Sequence, residues 1–260
     1  MPATLSTQKE FRQAFDPGFC YLCGKSWAQN ATTNRDHVPP RRLFAEADRT
    51  PPLTLRTHAD CNNGHSTYDE QVGQLVSLLW KEAPGPADVS SLRVSMHAPH
   101  GMVPFGAVEW LHLRFIVARW LKGFHAALYG SFLPNVNGAI HEPFPGGNTP
   151  GEDSNLHVSH AVFVREIKKN RAAGSVDSIV AYNGRCRYEC TWSHLDDGRP
   201  MCLWALDVYA WHRLGDTNNY AARSCVGWYE AINGIPVQAS RATAREVSFR
   251  NTEPLNAFEV

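Results

Sequence analysis

Two ligand pairs constrain this chain more than any other feature. Cys20 and Cys23 form a C-x-x-C, and His58 and Cys61 form an H-x-x-C that begins 35 positions after Cys23. Zinc takes four soft or borderline ligands in a tetrahedron, and each pair at this spacing sets two of them on one tight turn. Together the pairs predict a structural zinc site made of Cys20, Cys23, His58 and Cys61. The plainer reading of Cys20 and Cys23 is a redox pair or two buried thiols, but no βαβ pattern surrounds them. The later cysteines, Cys186, Cys190, Cys202 and Cys225, read as core thiols. Seven cysteines are an odd number, and no export signal precedes them, which argues against a disulfide framework.

Composition narrows the function classes. The chain has 260 residues, with 25 Lys+Arg against 25 Asp+Glu, 43% hydrophobic and 19% charged residues. A net charge of zero excludes a protein that holds nucleic acid mainly by bulk positive charge. No apolar run approaches the roughly 20 residues needed to span a bilayer. The segment MPATLSTQKEFRQAF lacks the apolar core of a secretory signal. The expected location is cytoplasmic, with no membrane partner.

Organisation follows from periodicity. TQKEFRQAF predicts a short helix. Residues 68–82 place Val72, Leu75, Val76 and Leu79 on one helical face. Residues 83–91, APGPADVSS, read as a linker. Residues 107–130 predict a long, buried helix stopped at Gly130. Residues 133–155 read as loop. AVFVREI, VDSIVAYNG, RCRYECTWSHL and PMCLWALDVYAWHRL read as strands, with DDGRP as a turn. Trp192, Trp204, Trp211 and Trp228 fall in the strand-rich half and read as core more than interface. His97, His100, His157 and His160 read as loop and strand-edge residues.

The chemistry concentrates between and just after the pairs, in Asn34-Arg35-Asp36-His37-Val38-Pro39-Pro40 and Cys61-Asn62-Asn63-Gly64-His65-Ser66. Phosphodiester hydrolysis needs a base for water and a cation to neutralise charge on the phosphate. An Asp beside a His offers an oxygen for a hard cation and an imidazole for the proton. Asn62 is a candidate second oxygen, fixed by the knuckle residue before it. Asn63 competes for that role, or takes a left-handed turn position. Asp69 and Glu70 read as helix-dipole carboxylates or further ligands. Arg35, Arg41 and Arg42 are candidate phosphate grips, or a solvated basic turn.

These residues resemble the HNH endonuclease family, and more narrowly its bacterial members with DHVPP, a following LF and a CNN before S-x-x-D-E. The matching positions are Cys20 and Cys23, Asp36 through Pro40, Leu43-Phe44, Cys61 through Asn63, and Ser66 through Glu70. The resemblance covers roughly residues 18–72. A fainter likeness touches Arg119-Trp120-Leu121-Lys122-Gly123 and Leu128-Tyr129.

The resemblance implies an α+β protein. A zinc-stapled ββα-metal module over residues 1–82 would precede a mixed helix-and-antiparallel-sheet domain over residues 83–260. It implies a metal-dependent DNA endonuclease or nickase. His37 would be the general base, and Asp36 and Asn62 would hold one Mg2+, or Mn2+ or Ni2+. His65 would lie toward the phosphate, and Cys20, Cys23, His58 and Cys61 would hold Zn2+. DNA is the expected partner, with a homodimer or a targeting protein, as in antiphage defence. Two positions depart from the pattern. His58 replaces the usual Cys, and Leu53 or Thr54 stands where the family has its middle Asn. The second departure motivates an alternative, a catalytically weak or inactive zinc-stabilised binding or protein-interaction module of a larger defence or mobile-element system.

Overall fold

The computed structural model describes residues 2–13, 18–28, 31–79, 93–97, 105–109, 113–134, 140–141, 163, 165–195, 197–208 and 225–230. The protein is α+β. A two-residue strand β1 (Thr4–Leu5) leads into helix α1 (Gln8–Gln13). That helix starts where its sequence dictates. Glu10 Oε2 accepts from the Thr7 backbone N–H at 2.7 Å, and Thr7 Oγ1 accepts from the Glu10 N–H at 3.2 Å. This reciprocal capping box satisfies amides that a helix start otherwise leaves open.

Next comes an antiparallel hairpin. Strand β2 (Thr33–His37) pairs with β3 (Thr54–His58), with Asp36 opposite Leu55 and His37 opposite Thr54. Helix α2 (Ala59–Asn63) begins at once, and α3 (Ser66–Leu79) follows it. Val72, Leu75 and Val76 are buried on one face of α3, as their spacing predicts. The Leu79 side chain and residues 80–92 lie outside the described residues.

The expected helix over 107–130 is shorter. Strand β5 (Phe105–Glu109) pairs antiparallel with β4 (Arg93–His97), and helix α4 runs over Leu113–Tyr129. Backbone pairing with β4 satisfies N–H and C=O groups that a helical reading of one segment assigns locally. Gly130 does end the helix, at φ 63°, with its N–H on the Ala126 carbonyl at 2.9 Å.

Among the described residues a six-stranded sheet has the order β1-β7-β8-β9-β10-β6. Its members are β6 (Ile140–His141), β7 (Asp177–Ala181), β8 (Cys186–His194), β9 (Pro200–Val208) and β10 (Cys225–Glu230). Only the β1–β7 pair is parallel. Two expectations are corrected here. Ile140–His141 is an edge strand inside the expected loop of 133–155, most of which lies outside the described residues. AVFVREI is not a strand: Phe163 and residues 165–172 are helical. Phe163, Ile167 and Asn170 are buried while Lys168 and Lys169 are exposed, which is a helical period.

Trp192, Trp204 and Trp228 are buried, as are the thiols Cys186, Cys190 and Cys202. Trp211, His100, His157 and His160 lie outside the described residues, and so do the side chains of His97 and Cys225. Helix α4 is buried nearly all round and shares one core cluster with the sheet and with residues following the hairpin. Phe124 stacks on Tyr188 of β8 at 4.5 Å. Phe44 stacks on Tyr182 at 3.9 Å, and the Tyr182 hydroxyl donates to the Pro39 carbonyl. No helix among the described residues is long and apolar enough to cross a membrane.

Candidate functional site

The two knuckles meet. Ligand atoms of Cys20, Cys23, His58 and Cys61 all lie within 4.8 Å of one another. Cys23 Sγ is 3.4 Å from His58 Nδ1. A tetrahedral zinc with bonds of about 2.3 Å to sulfur sets its ligands just under about 4 Å apart. Three sulfurs and one imidazole nitrogen at this separation fit that ion. The backbone N–H of His58 points at Cys20 Sγ from 3.4 Å, a contact that steadies a thiolate ligand. Burial first, and then the Cys23 and Cys20 sulfurs, push the Cys61 thiol up to about 12. Gly24 ends the first knuckle at φ 74°, and a Cβ there would meet the Phe132 ring at 2.5 Å.

One residue past Cys20 and one past Cys61, Tyr21 and Asn62 enter a second cluster. Asp36 on β2 and Asn62 on α2 converge, and the group between them is Arg119 of α4. Arg119 Nη2 donates to Asp36 Oδ2 at 2.6 Å and to Asn62 Oδ1 at 3.0 Å. Nη1 donates to Asp69 Oδ1 of α3 at 2.5 Å. The Tyr21 hydroxyl donates to the same Asp36 Oδ2 at 2.5 Å. Asp36 and Arg119 are 4% and 5% exposed, so this ion pair is out of water. Burial raises the Asp69 carboxyl to about 6 against the opposing pull of Arg119. Asn62 is itself held, because its Nδ2 donates to Asn34 Oδ1 at 3.3 Å. Thr57 Oγ1 donates to the same oxygen at 2.8 Å.

Arg119 reaches this cluster because α4 comes unusually close. Gly123, one turn further along, faces Val38 and Tyr21. A Cβ at Gly123 would lie 2.8 Å from Val38 Cγ1 and 3.3 Å from the Tyr21 ring. Only glycine permits that approach.

The other expected residues are placed as follows. His37 is half-buried and stands on the opposite face of β2 from Asp36, as alternation along a strand requires. Burial, and then the nearby Arg41, lower its pKa, so it is neutral at pH 7. His65 lies beside Phe115 and Tyr68, and burial followed by Arg119 lowers its pKa too. Its Nδ1 is buried with no hydrogen-bond partner among the described residues. Arg35, Arg41 and Arg42 are exposed, as are Asn63 and Glu70. Asn63 is helical, so the left-handed reading of it does not hold. Near Leu53 and Thr54, where the resemblance would place an Asn, the Leu53 carbonyl accepts from the Val38 N–H at 3.0 Å.

Four participants were not assigned by sequence: Arg119, Tyr21, Asn34 and Arg56. Arg119 carries a signal, being a cation amid Ile116, Val117, Trp120 and Leu121 in a helix otherwise buried. Arg56 pairs directly across from Arg35, and its guanidinium sits 4.5 Å over Trp27. Tyr21 lies inside a knuckle with no local pattern to mark it, and Asn34 opens the Asp-His segment, where its neighbours and not it were given roles. Compared with known proteins, the chain matches no family model, no curated protein and no solved structure.

Proposed function

We propose that the zinc-stapled hairpin and its helices form an HNH-type module that hydrolyses DNA phosphodiester bonds. One observation carries the reading. Asp36 and Asn62, from different elements, converge on a single cation, 2.6 and 3.0 Å from Arg119 Nη2. That is the arrangement the resemblance to HNH endonucleases implies around a catalytic ion. Zinc at Cys20, Cys23, His58 and Cys61 would fix the start of α2, and so the place of Asn62 directly after Cys61. A zinc ion there supplies rigidity and no step of the reaction.

His37 is the residue that takes the proton from the attacking water. It is neutral at pH 7, the form a base requires. Arg35, Arg56 and Arg41 supply positive charge on the exposed surface around it and hold the phosphate backbone. A divalent ion does not fit between Asp36 and Asn62 while Arg119 is there, since both bind the same oxygens. In this arrangement the centre holds a guanidinium.

The test is plasmid cleavage by the zinc-loaded chain with Mg2+, Mn2+, Ni2+ or Co2+. Nicks or breaks are expected, with His37→Ala at least about 100-fold slower. Cleavage by His37→Ala at the wild-type rate would overturn the assignment. A second reading is a zinc-stapled nucleic-acid-binding module without turnover. The burial of Asp36 beneath Tyr21 and Arg119 favours it. It expects DNA binding unchanged in Asp36→Asn, which keeps a hydrogen-bonding oxygen for Arg119, and no cleavage with any of the four ions.

A further inference from the structure

Arg119 is tethered on three sides. Asp36 of β2, Asn62 of α2 and Asp69 of α3 each accept from its guanidinium, and the residue comes from a fourth element, α4. Without it, the Asp36 and Asn62 oxygens that share Nη2 would face one point, with the Asp69 oxygen that holds Nη1 beside them. That is a hard-oxygen set of the kind that takes Mg2+ or Mn2+.

We infer that Arg119 closes this centre, so that its guanidinium and a divalent ion exclude one another at Asp36 and Asn62. The inference rests on the nuclease reading for the class of ion, and goes beyond it in naming what holds the site shut. The distances argue it. A hard divalent ion bonds oxygen at about 2.0–2.6 Å. Nη2 stands 2.6 Å from Asp36 Oδ2 and 3.0 Å from Asn62 Oδ1. An ion bonded to both oxygens would take the space of that nitrogen, which offers only donors and positive charge. The Tyr21 hydroxyl covers another approach to the same carboxylate oxygen. Charge agrees: one guanidinium offsets one of the two carboxylates, whereas a divalent ion offsets both. Ion entry therefore requires Arg119 to swing out, and Asp69, which holds its Nη1, becomes available as a third oxygen.

The test is a Mn2+ titration followed by electron paramagnetic resonance, on the full chain loaded with zinc. Wild type, Arg119→Gln and Arg119→Gln/Asp36→Asn are compared. Arg119→Gln is expected to bind one Mn2+ at least tenfold tighter than wild type, and the double variant to lose that gain. Equal Mn2+ affinity in wild type and Arg119→Gln overturns the inference, and so does an absence of gain in a variant that keeps its zinc. If Arg119→Gln loses its zinc, Arg119→Lys decides, because it removes the guanidinium fork and leaves all three oxygens in place. Tighter Mn2+ binding than wild type then supports closure, and unchanged or weaker binding overturns it. Plasmid cleavage by the same proteins separates the two readings. A variant that binds Mn2+ and cuts nothing sinks the nuclease reading and leaves closure standing. A wild type that binds Mn2+ as tightly as the variant sinks closure and leaves the nuclease reading.

Discussion

Arg119 and Asp36 are 83 positions apart in the chain and 2.6 Å apart in the fold, both nearly free of water. This pair joins α4 to the hairpin and fills the centre on which Asn62 also converges. A buried charge is tolerable only with its partner, so the pair binds the two segments energetically as well as spatially.

Removing one half of the pair leaves the other charged and buried. Arg119→Met should destabilise the protein by about 3–5 kcal/mol in urea unfolding. Adding Asp36→Asn in the same chain should recover part of that loss, because it deletes the stranded charge. Additive losses in the double-mutant cycle would show that the two do not interact.

Gly123→Ala gives an opposite sign to the usual helical expectation. Replacing a mid-helix glycine by alanine ordinarily stabilises by about 0.5–1 kcal/mol. Here the new methyl lies 2.8 Å from Val38 Cγ1 in a packed core. Overpacking of this kind costs about 1–3 kcal/mol. Chemical denaturation should show a net loss, and a net gain would mean that α4 can retreat from Val38 freely.

Metal content is a direct check on the knuckles. Purified chain should carry one zinc, and Cys23→Ala or Cys61→Ala should carry little. Chelation should abolish the near-ultraviolet signal of the hairpin region, since a structural zinc supplies folding free energy outright. Retention of full thermal stability after chelation would show the four residues to be ordinary side chains.

His125 should make stability depend on pH. Its ring lies between the Tyr229 hydroxyl at 3.0 Å and Ser131 Oγ at 2.7 Å. Burial lowers its pKa from 6.5 to about 3. The unfolded chain thus binds a proton, as pH falls below about 6.5, that the folded chain refuses, and stability drops. Relative to His125→Gln, wild type should lose up to about 1.4 kcal/mol per pH unit between about 6.5 and 3. Its contribution is constant above that window. A difference between the two proteins that does not vary with pH would contradict the assignment.

The sequence by itself determined the Cys20, Cys23, His58 and Cys61 cluster that could hold a metal, the short helix α1, the buried face of α3, the stop at Gly130 and three of the six strands of the large sheet, β7, β8 and β9. Each depends on a spacing of a few residues: two ligands on one turn, or a period of two or of 3.6. Where several local patterns were open, tertiary pairing chose among them. It made Phe105–Glu109 a strand beside β4, and it made residues 165–172 a helix over the sheet instead of another strand. The centre of the site belongs to the second class. Asp36 and Asn62 were legible as an oxygen pair, but their partner was not. Arg119 reaches them only because Gly123 lets α4 pack against Val38 and Tyr21. That contact joins segments more than eighty residues apart, and its energy comes from excluding water from the whole cluster at once, a property of no local stretch of sequence.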